Sequence, residues 1–318
     1  MSSDKAPAYL KIHFAVLLFG ITAILGKLIV YSETILVWHR MWISVVGLLL
    51  VPGVIRGLRK IGKQDLLRFC GVGVLVALHW ITFYGSIKLG NNASITLACL
   101  ATSTLFTSFL EPAITKSKFQ RVEIFLGILV VIGIYLISGV GSFYFSAIIV
   151  GLISAFLAAL FSVINKKYIA NHNTLSVSVV ELGSGFLFIT VMLPIYHGGL
   201  SIEQISLTGD HLISKYPLFG YHIHSFWYML VLGLLCTSLA YALSLSSLKV
   251  LSAFTTNLTI NLEPVYGILS AAWIFQEDQD LNASFYIGTA IIVFGVLFHP
   301  FLLKVNDKRV KARIIRES

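Results

Sequence analysis

The sequence predicts an all-α polytopic membrane protein with ten transmembrane helices arranged as two inverted five-helix repeats. Three observations carry that expectation. The 318 residues are 57% hydrophobic and 12% charged, with mean hydropathy +0.88. Apolar runs of roughly 20 residues, long enough to cross the hydrocarbon of a bilayer, recur along the whole chain. Lysines and arginines stand in short segments between those runs, mostly on one side of them.

A soluble domain of this length needs far more polar residues to cover its surface. Lipid is therefore the expected solvent and the bilayer the first partner. Net charge +9 and a pI near 9.4 suit nucleic acid only where basic residues share one exposed patch. Here they encode topology instead, and nucleic acid is excluded as a partner. Cys70, Cys99 and Cys236 lie in apolar runs without CxxC or metal spacing, as small core residues do. The first run, Tyr9–Val30, is too long for a signal-peptide core and lacks a small-residue cleavage site, so it is expected to remain as an anchor.

The spans are expected at about 9–30, 33–53, 65–87, 92–115, 120–138, 144–165, 174–196, 225–247, 250–275 and 282–303. Short connections make neighbouring helices antiparallel. The one long connection, about 197–224, carries Gly198, Gly199, Pro217 and Gly220. On these spans 19 of the 23 basic residues fall on the side holding both termini, which predicts both termini in the cytoplasm and an even number of crossings.

Two halves are discernible, 11–139 and 144–303, followed by a basic cytoplasmic tail at 304–318. Phe125-Leu-Gly127-Ile-Leu-Val-Val-Ile-Gly133 is similar to Tyr286-Ile-Gly288-Thr-Ala-Ile-Ile-Val-Phe-Gly295, and each follows a polar span with a Glu-Pro step. The steps, Glu111-Pro112 and Glu263-Pro264, differ in depth. Repeats of five spans must insert with opposite orientation, which places a solute site near the midplane between them.

Ionisable residues inside a membrane cost roughly 2.5–3.5 kcal/mol each and are functional candidates by default. Here they are Lys27, Arg40, Glu111, Glu181 and Glu263, with His39, His79 and His299. In span four, Thr96, Ser103, Thr107 and Glu111 fall on one stripe flanked by Thr104 and Ser108, pointing inward to a solute or a neighbouring helix. Span nine is polar on two sides, Asn257 and Asn261 on one, Thr255, Thr256, Thr259 and Glu263 on another, so it belongs at the centre of the bundle. Pro264 removes the hydrogen bond to the Ile260 carbonyl and should bend the helix; Pro112 and Pro264 are the candidate hinges.

Span three aligns His79, Phe83 and Ser86 with Trp80 and Tyr84 alongside, and span eight aligns Thr237, Tyr241 and Ser244. Aromatics with polar tips line cavities for organic solutes and also populate membrane interfaces. Arg40 and Glu181 hold equivalent places in the two halves, each expected to neutralise a partner. Lys27, Arg40, Glu181 and Glu263 form the candidate set for intramembrane charge and coupling. The stripe Gly151, Ala155, Ala159 with Ser154, Ala158 and Ser162 in span six reads as close packing.

His211, His222 and His224 lie in the long connection without Cys or carboxylate at ligand spacing, so no metal site is expected. HExxH, GxSxG and GxxxxGK[ST] are all absent, which disfavours an ATP-driven pump and predicts no cofactor.

Ser108-Phe-Leu-Glu111-Pro112 and Asn261-Leu-Glu263-Pro264-Val-Tyr-Gly267, the latter running into Phe275-Gln276-Glu277, give the chain a resemblance to EamA-type members of the drug/metabolite transporter superfamily. The resemblance spans about 11–303. It implies a bacterial cytoplasmic membrane and a central cavity passing metabolites, often amino acids or related compounds. Gln276-Glu277 stands where the family usually has Gly-Glu. The expected activity is secondary transport, not enzymatic, of a small-molecule solute. The candidate cavity residues are His79, Tyr84, Ser103, Thr107, Glu111, Thr237, Tyr241, Asn257 and Asn261. A channel, a non-transporting receptor and an intramembrane lipid-acting enzyme are the alternatives, and a homodimer is left open.

Overall fold

Apolar side chains fill the interior and also cover much of the outer surface, while many polar ones are buried. Leu10, Leu67 and Ile195 are each more than 70% exposed, whereas Ser44, Ser86, Thr107, Asn165 and Glu181 are buried. The structure is a computed structural model. It describes residues 5–90, 93–138, 145–197, 213, 222–263, 265–267, 269–270 and 283–317. The side chains at 23, 26, 27, 93–95, 97, 98, 285, 300 and 303–317 are outside that description, so Pro264, the Lys27 side chain, His211 and Phe275-Gln276-Glu277 lie outside the described set.

The described chain is helical. The helices are α1 (Lys5–Leu28), α2 (Glu33–Leu49), α3 (Lys63–Gly90), α4 (Ala93–Thr115) and α5 (Arg121–Ser138), then α6 (Phe145–Tyr168), α7 (Thr174–His197), α8 (Ser225–Leu248), α9 (Ala253–Ile260) and α10 (Ala283–Glu317). A one-turn helix, Val54–Leu58, follows α2. Among the described residues α3, α6, α7 and α8 are long and apolar enough to cross a bilayer by length and composition.

Local chemistry sets several ends. The Ser252 hydroxyl accepts from the Thr255 N–H and starts α9 at Ala253, just inside its apolar run. His224 caps α8, its Nδ1 accepting from the Phe226 N–H at 3.1 Å. Regular helix in α9 stops at Ile260, the residue whose carbonyl a proline at 264 cannot serve. The chain turns through Asn261 and Leu262, and helical bonding resumes with Tyr266 N–H to Leu262 O at 3.0 Å. α8 loosens into a π-helical turn at Leu234–Leu239. α10 continues beyond the expected span end at 303 through the basic segment to Glu317. At 1.5 Å per residue its 35 residues cover roughly 52 Å, more than the hydrocarbon thickness.

The packing follows the two halves. Exchanging each helix for the one five later maps the main contacts onto one another: α2 packs on α7 and α5 on α10, α3–α6 is matched by α8–α1, and α3–α7 by α8–α2. Small residues allow the closest crossings. A Cβ on Gly73 of α3 would stand 2.0 Å from the Glu181 carbonyl oxygen of α7, and one on Gly185 would stand 2.8 Å from the Gly73 carbonyl oxygen. The small stripe of α6 packs similarly, with Gly151 against Cys99 and Ser86.

At the Gly73 crossing a methyl would meet the Ser184 hydroxyl, which can turn aside, and the Glu181 backbone carbonyl, which cannot. Gly73→Ala is expected to cost about 1–3 kcal/mol. A thermal melt of the detergent-solubilised variant checks it, and an unchanged midpoint would contradict this crossing.

Candidate functional site

α4 and α9, which belong to different halves, are joined by a ladder of polar contacts. At one end Glu111 lies across the start of α9, Oε1 accepting from Ala253 N–H at 3.0 Å and Oε2 from Phe254 N–H at 2.8 Å. These are orphan donors of a helix N-terminus, where a carboxylate is favoured by both hydrogen bonding and the helix dipole. One turn along, Asn257 Nδ2 donates to Thr107 Oγ1 at 2.8 Å. Another turn along, Asn261 Nδ2 donates to Thr104 Oγ1 at 2.5 Å. The numbers fall on α4 as they rise on α9, so the ladder is antiparallel.

Proton counting fixes the middle rung. The single hydroxyl proton of Thr107 goes to the Ser103 carbonyl at 2.7 Å, so toward Asn257 this oxygen can only accept. The Asn257 amide is thereby oriented, and its Oδ1 is left to accept from Ser162 Oγ of α6 at 3.1 Å. One asparagine ties together α4, α6 and α9.

Beside this ladder lies a cavity of about 100 Å³, bounded by residues of both halves. Several waters fit such a volume. Of the sequence-predicted residues, His79, Tyr84, Ser103, Tyr241 and Asn257 line it, together with Arg40 and Glu263. Trp80, Phe83 and Phe161 supply much of its apolar wall.

Arg40, on α2, is 3% exposed. Its Nε donates to Thr237 Oγ1 at 3.1 Å and its Nη1 to Tyr84 Oη at 3.1 Å, while the guanidinium lies 3.9 Å from the Trp80 ring centre. Thr237 sits in the π-helical turn and returns its own proton to Leu232 O at 2.7 Å, five residues back. The widened turn is therefore what offers Arg40 an acceptor. On α3, His79 is clasped by Ser154 of α6: the serine hydroxyl donates to the His79 carbonyl at 3.0 Å, and His79 Nδ1 lies 2.9 Å from that hydroxyl and 3.0 Å from the Ser154 carbonyl. With the hydroxyl proton spent, Nδ1 must carry the hydrogen, which leaves Nε2 of a neutral ring as an acceptor.

Glu181 of α7 stands behind the lining. Its Oε2 accepts from Tyr241 Oη at 2.5 Å and from Asn165 Nδ2 at 3.4 Å. No ion pair links Arg40 to Glu181 among the described residues; each is met by hydroxyl, amide or aromatic groups instead. Glu111, Thr237 and Asn261 are engaged by protein groups away from the lining, and Thr107 contributes through Asn257. α4 passes through Pro112 without a break and ends at Thr115, where Lys116 takes a positive φ of 59°. No cluster of three metal-ligating side chains occurs among the described residues.

Trp80, Phe161, Ser154, Asn165 and Ser162 were not singled out by sequence as site residues. Trp80 lay one position from the expected face of span three. The serines of span six were masked by a stripe that reads as packing and serves both purposes.

Two matched helical halves around a shared polar cavity form the architecture in which repeat-built membrane carriers place their solute site. The chain belongs to the EamA-like transporter family, whose model matches residues 6–139 and 145–299. None of the curated proteins compared with it matches. Among solved structures, one described only as the crystal structure of a protein is similar with TM-score 0.71 and 16% identity, over 94% of this chain and 98% of that one. At that identity the likeness is one of fold.

Removing one partner of a buried rung strands the other. Thr107→Val should cost about 1–3 kcal/mol by leaving the Asn257 amide without its acceptor. Adding Asn257→Leu should recover part of that loss, because two apolar partners leave only the Ser162 hydroxyl to be satisfied. A double-mutant cycle of melting temperatures tests this; additive losses would mean the two residues do not interact.

Proposed function

We propose that this chain is a secondary carrier that moves a small metabolite by alternating access, one five-helix half rocking against the other around the cavity. Ten crossings, both termini in the cytoplasm and a bacterial cytoplasmic membrane complete the reading. Amino acids and related compounds are the solute class suggested by the family resemblance. The observation that supports it best is that the cavity draws its polar groups from both halves while the α4–α9 ladder joins those halves along one wall. A solute leaving water needs replacements for its hydrogen bonds, and side chains on central helices supply them. A wall made of hydrogen bonds can exchange partners with water or solute at little net cost, as a moving seam requires.

Two measurements test the reading. In vesicles a carrier shows saturable uptake and counterflow, whereas a channel gives flux proportional to the gradient. Thr104→Cys with Asn261→Cys, in a background without Cys70, Cys99 and Cys236, allows the seam to be bridged by a short, reducible cross-linker. Counterflow should fall to background when it is bridged and return on reduction. Full counterflow across a bridged seam would rule out the rocking motion.

A further inference from the structure

Glu181 is fully buried on α7, and its carboxylate is only half satisfied. Oε2 accepts from Tyr241 Oη at 2.5 Å and lies 3.4 Å from Asn165 Nδ2, whereas Oε1 meets no donor. Asn165, equally buried on α6, leaves its Oδ1 without a donor as well. Two buried side chains in contact thus offer two open acceptors and no hydrogen to share between them. Turned end for end, the amide would set its oxygen 3.4 Å from Oε2, which again calls for a hydrogen on the carboxyl. Either setting is one hydrogen short, and a carboxyl that gains a proton becomes the missing donor.

The neighbouring carboxylates are placed differently. Glu111 accepts a backbone N–H on each oxygen, and Glu263 lines the cavity in the field of Arg40. The elements packed against α7 also carry His39 and Arg40 on α2, Cys70 and His79 on α3, and Arg56 on the one-turn helix. Tyr241 and Asn165 are the side chains that reach the Glu181 carboxylate among the described residues. Tyr241 also lines the cavity, so it stands between the cavity and Glu181.

We infer that Glu181 is a proton-binding site fed from the cavity through Tyr241, and that its proton is the coupling ion of the transport cycle. This rests on the carrier reading above and deepens it by naming the ion. Tyr241 passes its hydroxyl hydrogen to Oε2 and takes another from hydronium in the cavity. One proton leaves the water, one arrives on the carboxyl, and the phenol ends as it began. The neutral carboxyl then has a hydrogen to donate, and Asn165 Oδ1 is open to accept it. A buried carboxylate with an unmet oxygen is costly, and its neutral form much less so. Proton and solute occupy different places, so each can bias the two arrangements of the halves without displacing the other.

Infrared difference spectra of the chain in lipid vesicles, recorded as pH is changed, read this proton through the C=O stretch of a protonated carboxyl. The wild-type chain should show a band that titrates within the pH range of the folded protein and is missing from Glu181→Gln. Glutamine keeps an acceptor for Tyr241 and adds a donor for Asn165, so the variant should keep its fold. Exchanging sodium for choline at constant pH should leave the band unchanged. In Tyr241→Phe the band should remain, but its shift on transfer to D2O should slow roughly tenfold or more, because the relay is gone. Bridging Thr104→Cys to Asn261→Cys, in the background without Cys70, Cys99 and Cys236, holds the halves in one arrangement. The midpoint of the band should then move by about one pH unit, roughly tenfold in proton affinity, and return on reduction. The proton site is overturned by the absence of any band that Glu181→Gln removes, or by a band constant across the pH range. A band displaced by sodium would make the pocket a sodium site instead, and unchanged exchange in Tyr241→Phe would reject the route. Full counterflow across a bridged seam would reject the rocking motion, while the band still reports on Glu181. Counterflow stopped by bridging, with the midpoint unmoved, would uphold the carrier and reject the proton as its coupling ion.

Discussion

A membrane helix that carries amides and a carboxylate must give them partners, and this chain meets the constraint by laying α4 against α9. Burying an amide without a partner costs roughly 2–7 kcal/mol, depending on the reference. An interhelical hydrogen bond in a membrane protein returns only about 0.6 kcal/mol on average. The ladder's main effect is therefore on register. Sliding one helix by a turn in the closed seam would strand Asn257 and Asn261 and uncover the first N–H groups of α9. The closed seam therefore has one register, while opening it hands the same bonds to water or solute. The cavity inherits its shape from that alignment.

The polar groups divide by whether their bonding capacity is already used. Thr107 has given its proton to Ser103 and its lone pair to Asn257. Thr237 has given its proton to Leu232 and accepts from Arg40. Neither has much left for a solute. Arg40 keeps donors, His79 keeps one ring nitrogen, and the Glu263 carboxylate accepts no hydrogen bond among the described residues. Polarity alone does not make a residue part of a binding surface; residual capacity does, and counting protons on hydroxyls and amides separates the two.

Much of the architecture could be read from the amino acids because helical periodicity reports which face of a span is polar. The stripe from Ser103 to Glu111 turned the polar face of span four inward, and the two polar sides of span nine placed that helix at the centre. Periodicity does not report depth or partner. Glu111 and Ala253 meet across 142 residues of chain, and nothing within either span foretells that the carboxylate caps a helix start. Arg40 and Glu181 look like a matched pair by position, yet the hydroxyls and amides that meet them are scattered over other spans. The π-helical turn was not legible either: Leu234–Leu239 contains no proline or glycine, and its widening depends on hydroxyls at Thr237 and Ser238 bonding back to carbonyls five residues earlier.

The backbone points to the cavity independently of the side chains. Regular helical bonding relaxes at Leu234–Leu239 in α8 and stops at Ile260 in α9. In hydrocarbon such departures are tolerated only where protein or a wet cavity covers the released groups. Each one also serves a charge. The loosened turn presents Thr237 to the guanidinium of Arg40, and the break at Asn261–Leu262 comes directly before Glu263. Two helices in the same half have given up regularity, and in doing so they position the only fixed charges that line the cavity among the described residues. Had those departures served packing alone, they would have no reason to coincide with the two groups of opposite sign.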